Sequence, residues 1–499
     1  MAALLCTITF VAAAPPIVTV APAAKPDPVI VTAVPPSAEP IAGEMLVTTI
    51  VVEGGVGVVG ELLEQEAARN AAASAASVLS RDGKTGAIIP RKRGATALTM
   101  RDGMTFRPSI DRPSPGWYDA RTSPVRASQE SDTLSVIGKI GLAKEIAGAN
   151  LRSPRLPYKV TFVATYHCNF RCQMCNIWQK KSRNEMTPEE VARFFSRWPQ
   201  FRWVHLTGGE LFMRRDLDDL IAAIQENCKS LYLLNFPTTG WFGDKVVSVV
   251  DRTLERGVGR LMVTISLDGP KEVHERMRGL PGSWDRGIET FKRLRGIRRS
   301  NFQTVIGMTL LPDNAGLVDE TLAAVRREIP DFKRTELHLN IGHESGHYFD
   351  NVGLAVSSDH GKVIRAIEAH RKANGTSLHP VSFLEDRYQA LVANYYETGR
   401  SPLPCTALSS SCFIDAYWDV FACSIWDAKI GNLRTANFDL GALWASEERR
   451  RRREDVVKEN CPHCWTPCEA YPTLLGNLGK ATMARTGPRK PLPEPGVQT

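Results

Sequence analysis

The chain predicts an α/β fold built on a parallel sheet, and three observations carry that expectation. Apolar runs of about four to eight residues, the length of a buried strand, recur through its middle. Longer stretches with helical periodicity separate them. The two kinds of segment alternate through six units, which favours parallel strands joined by right-handed crossovers.

Taken in order, strands are expected near 158–165, 202–207, 231–236, 261–267, 303–311 and 335–341. Helices are expected near 187–198, 215–228, 244–256, 283–298 and 316–329, with another near 359–373. Ahead of the first strand, residues 133–150 (TLSVIGKIGLAKEIAGAN) read as an amphipathic helix, packed on the domain or, as a lesser reading, on a membrane surface. Residues 1–130 differ in kind. They are rich in Ala, Pro and Val and show no sustained period outside 60–79, so they read as a disordered extension. An alternative is a true start near Met100 or Met104. Residues 1–14 have the look of a signal peptide without its positively charged first segment.

The chemistry begins just after the first strand. Cys168, Cys172 and Cys175 stand in YHCNFRCQMCNIW, a C-x3-C-x2-C spacing between a strand and a helix. Iron–sulfur clusters are ordinarily held by four cysteines. Three can serve three irons of a cubane and leave the fourth open. Zinc, with His167 as a fourth ligand, is the alternative. The second strand ends in Gly208-Gly209-Glu210, where a bare backbone can approach a small ligand closely. The fourth (LMVTISL) ends in Asp268-Gly269-Pro270. Arg278 reads as a solvated helix-end arginine, with pairing to a carboxylate as the other option.

A second cysteine group lies beyond the sixth strand: Cys405, Cys412, Cys423, then Cys461, Cys464 and Cys468. A hairpin is expected across it, from Ile414-Asp415 through a turn at 417–419 to Val420-Phe421, and a helical stretch over 440–457. Tetrahedral zinc suits C-x2-C with two distant cysteines as well as a cluster does. Cys228 reads as a small apolar residue of a helix.

These motifs resemble the radical S-adenosylmethionine (SAM) superfamily, whose cysteine motif carries an apolar or aromatic residue before the last cysteine, here Met174. The resemblance implies a partial (β/α)6 TIM-like barrel over 157–375, with a helix and linker at 131–156. It implies a 4Fe–4S cluster on Cys168, Cys172 and Cys175, with SAM on the open iron. Gly208, Gly209 and Glu210 would receive the SAM ammonium group, and Ser266 and Asp268 would lie near its ribose. The second group is similar to the SPASM and twitch extensions that bind auxiliary clusters, placed at 376–475 with a flexible tail at 476–499. The full pattern has seven cysteines and this chain has six there, so one auxiliary 4Fe–4S cluster is expected. Cys412, Cys423, Cys461 and Cys464 are its first candidates, Cys468 is an alternative ligand, and Cys405 has no obvious counterpart.

Composition bounds the function. The chain has 499 residues, 43% of them hydrophobic, and a net charge of +8. The run Arg449 to Arg453 reads as a solvated helix face, and no nucleic-acid-binding pattern accompanies it. Eleven cysteines at metal-type spacings argue for a reducing, cytoplasmic setting, and no apolar run is long enough for a transmembrane helix. The resemblance implies an enzyme that cleaves SAM reductively to a 5′-deoxyadenosyl radical, fed by a flavodoxin or ferredoxin. Its substrate would be a peptide or protein, or else a small molecule such as a sugar, nucleotide or lipid precursor. A non-catalytic zinc scaffold is the reading from another class. His338, His343, His347 and Tyr348, near the sixth strand, are candidate pocket residues.

Overall fold

In a computed structural model of the chain, the described residues are 124–484 apart from 153, 355, 357 and 376–379, with the backbone alone for 124–137. The low-complexity extension up to 123 and the tail beyond 484 lie outside them. Six strands run in parallel: β1 (Lys159–Thr165), β2 (Trp203–Gly208), β3 (Leu233–Thr238), β4 (Arg260–Ser266), β5 (Phe302–Leu310) and β6 (Leu337–Ile341). They pair in sequence order, each crossing over through helices. All seven residues of β1 are buried, so it needs cover on both faces and a neighbour on both edges. Its second neighbour is β7 (Ser411–Ile414), parallel to it with Val160 opposite Cys412. The strands β8 (Asp419–Phe421) and β9 (Lys429–Asn432) extend the same sheet antiparallel. The cysteine-rich segment thus continues the barrel's own sheet.

The first helix, α1 (Pro124–Leu151), begins nine residues before the expected 133 and inside the stretch read as an extension. The crossover helix α2 (Pro188–Arg197) starts at a capping box. Thr187 Oγ1 accepts from Glu190 N at 3.3 Å and Thr187 N donates to Glu190 Oε2 at 3.0 Å. Its buried Val191, Phe194 and Phe195 face β1. Phe162 of β1 meets Phe194, Phe195 and Trp418 at ring separations of 6.4, 5.7 and 5.4 Å. Trp418 comes from the β7–β8 turn, so one aromatic cluster joins barrel and C-terminal segment. Truncating Phe162 to alanine would cost roughly 3–5 kcal/mol.

The other crossover helices are α3 (Leu217–Asn227), α4 (Gly243–Arg256), α5 (Lys271–Arg278), α6 (Ser283–Arg295) and α7 (Val318–Glu328). Of these, α5 is too short to have shown a period. Three more follow β6: α8 (His360–Asn374), α9 (Pro380–Ala390) and α10 (Val392–Thr398). The expected helix over 440–457 is two, α11 (Leu440–Ala445) and α12 (Glu447–Val457). Ser446 separates them in extended geometry and caps α12 by accepting from Arg449 N. The chain then forms α13 (Pro467–Leu475) and α14 (Leu478–Met483).

At the foot of β1, Lys159 is fully buried. Its ammonium donates to Thr161 Oγ1 at 2.6 Å and Cys468 O at 2.5 Å and lies 3.9 Å from Glu469 Oε1. Ser411 donates to the other Glu469 oxygen at 2.6 Å. A buried charge needs such a partner, and this one pins α13 to the barrel.

Candidate active site

The loop after β1 is shaped from outside itself. Arg171 N and Gln173 N donate to the carbonyls of Arg278 (3.1 Å) and Met277 (2.8 Å) at the end of α5. Asn176 N donates to Phe349 O at 2.8 Å, and Asn351 Nδ2 to Met174 O at 2.8 Å. These bonds bring Cys168, Cys172 and Cys175 onto one wall of a cavity of about 420 Å³ at the C-terminal ends of the strands. Burial pushes the Cys168 thiol up to about 11 and the Cys175 thiol up to about 12. Burial also raises Cys172, against the pull of the Arg278 guanidinium, whose Nη1 stands 3.9 Å from its sulfur. Thiols so desolvated become thiolates most readily on a cationic centre.

Three sulfur donors on one cavity wall fit a cluster with one iron left open. His167, the fourth zinc ligand considered above, is exposed and does not line the cavity. Among the described residues no three His, Cys, Asp or Glu converge on a single ion.

The glycine pair is fixed by contact with this loop. A Cβ on Gly208, at φ +150°, would lie 2.1 Å from Thr165 O, and one on Gly209 2.3 Å from His167 O. Neither position accepts a side chain. Glu210, expected to receive the SAM ammonium group, is engaged by the protein itself and also lines the cavity. Its carboxylate accepts from Phe212 N (3.2 Å), Thr238 Oγ1 (2.8 Å), Thr239 N (2.8 Å) and Thr239 Oγ1 (2.6 Å). A carboxylate offers about four lone-pair sites, and these four donors engage them. It ties the end of β2 to the end of β3.

Asp268, expected near the SAM ribose, is likewise engaged by the protein. It is fully buried and outside the cavity lining, accepting from Thr309 N at 2.9 Å and pairing with Arg278 Nε at 2.6 Å. Arg278, read as solvated, is the largely buried partner of that pair and lines the cavity. Ser266 and Met174 do line it. So do His338, His343 and Tyr348, the last sharing a 2.8 Å hydrogen bond with Thr207 Oγ1. His347 does not; it packs on Phe421 with ring centroids 4.5 Å apart. The lining residues His205, Asn235 and Asn340 carry no signal in the sequence, because alternate polar residues on short strands look like solvent-facing positions.

The second cysteine group encloses a smaller cavity of about 160 Å³, lined by Cys405, Cys423, Cys461, Cys464 and Arg453. Cys412 is absent from that lining. It is fully buried on the face of β7 that shares the main core with Ile414, so strand alternation turns it away. Cys405, thought to lack a counterpart, takes its place from the loop before β7. Cys468 lines the larger cavity, not the smaller one. The Arg449–Arg453 run is not a uniformly solvated face, since Arg449 Nη2 donates to Leu408 O at 2.6 Å and Arg453 lines this cavity. Cys228 is buried but caps the C-terminus of α3 rather than lying within the helix, and it donates to Phe201 O at 3.2 Å.

Comparison with known proteins bears on both cavities. The model for the Radical SAM superfamily matches residues 162–325, and that for an iron–sulfur cluster-binding domain (SPASM) matches 405–465. The sporulation killing factor maturation protein SkfB of Bacillus subtilis is 26% identical over 179 residues, 34% of this chain and 39% of SkfB. The AdoMet-dependent heme synthase of Methanosarcina barkeri is 22% identical over 343 residues, 63% of this chain and 90% of that protein. The chain thus spans about two fifths of the length of SkfB. Among solved structures, native anSMEcpe with bound AdoMet has a TM-score of 0.43 at 17% identity, covering 60% of this chain and 84% of that one. Streptococcus suis SuiB bound to S-adenosylmethionine has a TM-score of 0.42 at 16% identity, covering 59% and 66%. The two matched segments imply 4Fe–4S clusters, and each coincides with one of the two cysteine-lined cavities. The chain thus carries a segment that matches the Radical SAM superfamily, followed by a segment that matches a SPASM-type iron–sulfur cluster-binding domain.

Proposed function

We propose that this chain is a radical SAM enzyme that acts on a peptide or protein segment. The observation that carries the reading is the meeting of Cys168, Cys172, Cys175 and the Gly208-Gly209 backbone on one cavity of about 420 Å³. When bound, a 4Fe–4S cluster with SAM on its open corner supplies reductive cleavage of SAM to methionine and a 5′-deoxyadenosyl radical, which takes a hydrogen atom from substrate. In this reading the three thiolates hold the cluster, and the glycine backbone and Ser266 face the small-molecule side of the chamber. Arg278, neutralised by Asp268, stands beside Cys172. Phe170, Trp178, Tyr348 and Phe349 wall the chamber with apolar surface that excludes water.

The auxiliary site in this reading is Cys405, Cys423, Cys461 and Cys464, with one 4Fe–4S cluster. A one-electron donor of the flavodoxin or ferredoxin type feeds the system, and a reducing cytoplasm suits the thiolate ligands. No helix among the described residues is long and apolar enough to cross a membrane.

A relative named as a killing-factor maturation protein favours a peptide substrate. The relatives named GTP 3′,8-cyclase, 27% identical over 152 residues in Yersinia pestis, and AdoMet-dependent heme synthase keep a small-molecule substrate as the second reading. The test is anaerobic reconstitution with iron and sulfide, then dithionite and SAM. Release of 5′-deoxyadenosine by the wild type and its loss in Cys172→Ala, with the auxiliary cluster retained, is the expected result. Undiminished release in Cys172→Ala would refute the assignment.

A further inference from the structure

The floor of the larger cavity holds a hydrogen-bond chain whose direction is set by chemistry alone. Trp203, His205 and Thr207 project inward from β2, and Asn235 of β3 stands opposite His205 in register. Trp203 Nε1 donates to Asn235 Oδ1 at 2.6 Å. An indole N–H can only donate, so the oxygen of the Asn235 amide faces Trp203 and its NH2 faces His205. That NH2 lies 2.6 Å from His205 Nδ1, which must therefore accept. The proton of a neutral His205 is left on Nε2. That nitrogen has no partner among the described residues, and the ring lines the cavity. Protonating Nδ1 would set two donors against each other, and burial pushes the ring's pKa down to about 3. The imidazole is thus a fixed neutral donor.

Among the described residues, no free carboxylate, guanidinium or ammonium group accompanies it on the floor. The carboxylate and guanidinium of the lining are Glu210, filled by four protein donors, and Arg278, paired with Asp268. Lys159 below is consumed by Thr161, the Cys468 carbonyl and Glu469. Met262, Thr264 and Asn340 complete the floor without adding charge. A phosphate or carboxylate entering there would be desolvated with nothing to offset it.

We propose that this floor takes an uncharged, largely apolar substrate segment whose inner tip carries a hydrogen-bond acceptor oxygen, and that the Nε2–H of His205 meets that oxygen. The inference rests on the reading of this cavity as the reaction chamber. It disfavours a nucleotide or sugar phosphate and fits an amide or hydroxyl within a peptide.

The test uses two probes of one shape, isovaleramide and isovalerate, titrated calorimetrically into the reconstituted full-length chain. The amide should bind about tenfold or more tightly than the acid, and His205→Phe should weaken it by about tenfold, the loss of one buried hydrogen bond. In Asn235→Asp the new carboxylate accepts from both Trp203 and His205 Nδ1–H, which turns Nε2 into an acceptor. The ¹⁵N signals of His205 should report the exchanged tautomer there, and a bound amide would then have to turn its NH2 toward Nε2. Equal binding of both probes, unchanged binding in His205→Phe, or no amide binding up to its solubility would overturn the proposal. SAM cleavage on the same preparation separates the failures. Cleavage without amide binding sinks only the substrate class; His205-dependent amide binding without cleavage sinks the radical reading and leaves the floor standing.

Discussion

Arg453 donates from Nη1 to the carbonyl of Cys405 at 2.8 Å, and the same nitrogen reaches Ala407 O at 2.9 Å. One guanidinium thereby fixes the loop that brings Cys405 to the smaller cavity. A carbonyl stripped of its buried partner costs about 1–3 kcal/mol. Arg453→Gln should therefore lower stability and, on anaerobic reconstitution, bring iron content from two clusters' worth toward one. Wild-type iron in that variant would show that the loop holds Cys405 without help.

The two cysteines on either side of that loop should behave oppositely. Cys405→Ala is expected to lose the auxiliary cluster, seen as a drop in iron and in the cluster's visible absorbance. Cys412→Ala should keep both clusters and lose about 1–2 kcal/mol for the small void left in the core. Loss of iron in Cys412→Ala with retention in Cys405→Ala would restore the assignment drawn from spacing.

Spacing anticipates the gathering of Cys168, Cys172 and Cys175 on one cavity wall but not the inward facing of Cys412, and the difference is a matter of chain locality. Those three cysteines lie within one loop, so their sequence spacing is their spatial arrangement. The later cysteines come from a loop, a strand end and a distant turn, and which of them converge depends on the pairing of β7 with β1 and on the facing of Cys412. The same limit applies to Glu210 and Asp268. Their types and positions at strand ends were readable, but the donors that occupy them (Thr238, Thr239 and Arg278) come from elements that only the fold brings together. The six parallel strands were legible because each is a short apolar run between helical patterns. The β9 strand was not, since Lys429–Asn432 is short and carries a glycine.

Glu210 and Ser266 both line the cavity, yet their removal should have different consequences. Glu210→Ala strands buried donors of Phe212, Thr238 and Thr239, for an expected loss of about 2–4 kcal/mol in chemical denaturation. SAM cleavage should fall along with it as the β2–β3 ends loosen. Ser266→Ala removes a hydroxyl facing the cavity and should leave stability within about 0.5 kcal/mol. If it lowers SAM cleavage nonetheless, Ser266 acts on the ligand side. Equal stability of the two variants would contradict the clamp role of Glu210.

His370, on α8 and buried to 1% exposure, supplies a pH dependence with a definite sign. Burial pushes its pKa down to about 4 from the ordinary imidazole value of 6.5. As pH falls, the unfolded chain takes up the proton first, so stability is fully present above about 6.5 and is lost on the way down to about 4. Between about pH 7.5 and about pH 5 this one ring should withdraw about 2 kcal/mol. Asp415, pushed up to about 6 by burial, acts in the opposite sense across part of that window. The contribution of His370 is therefore read as a difference between proteins rather than from the wild type alone. Denaturation of His370→Leu should show a shallower loss of stability on acidification than wild type, by about that amount. Parallel pH profiles for the two would mean that the ring is protonated as easily inside the fold as outside it.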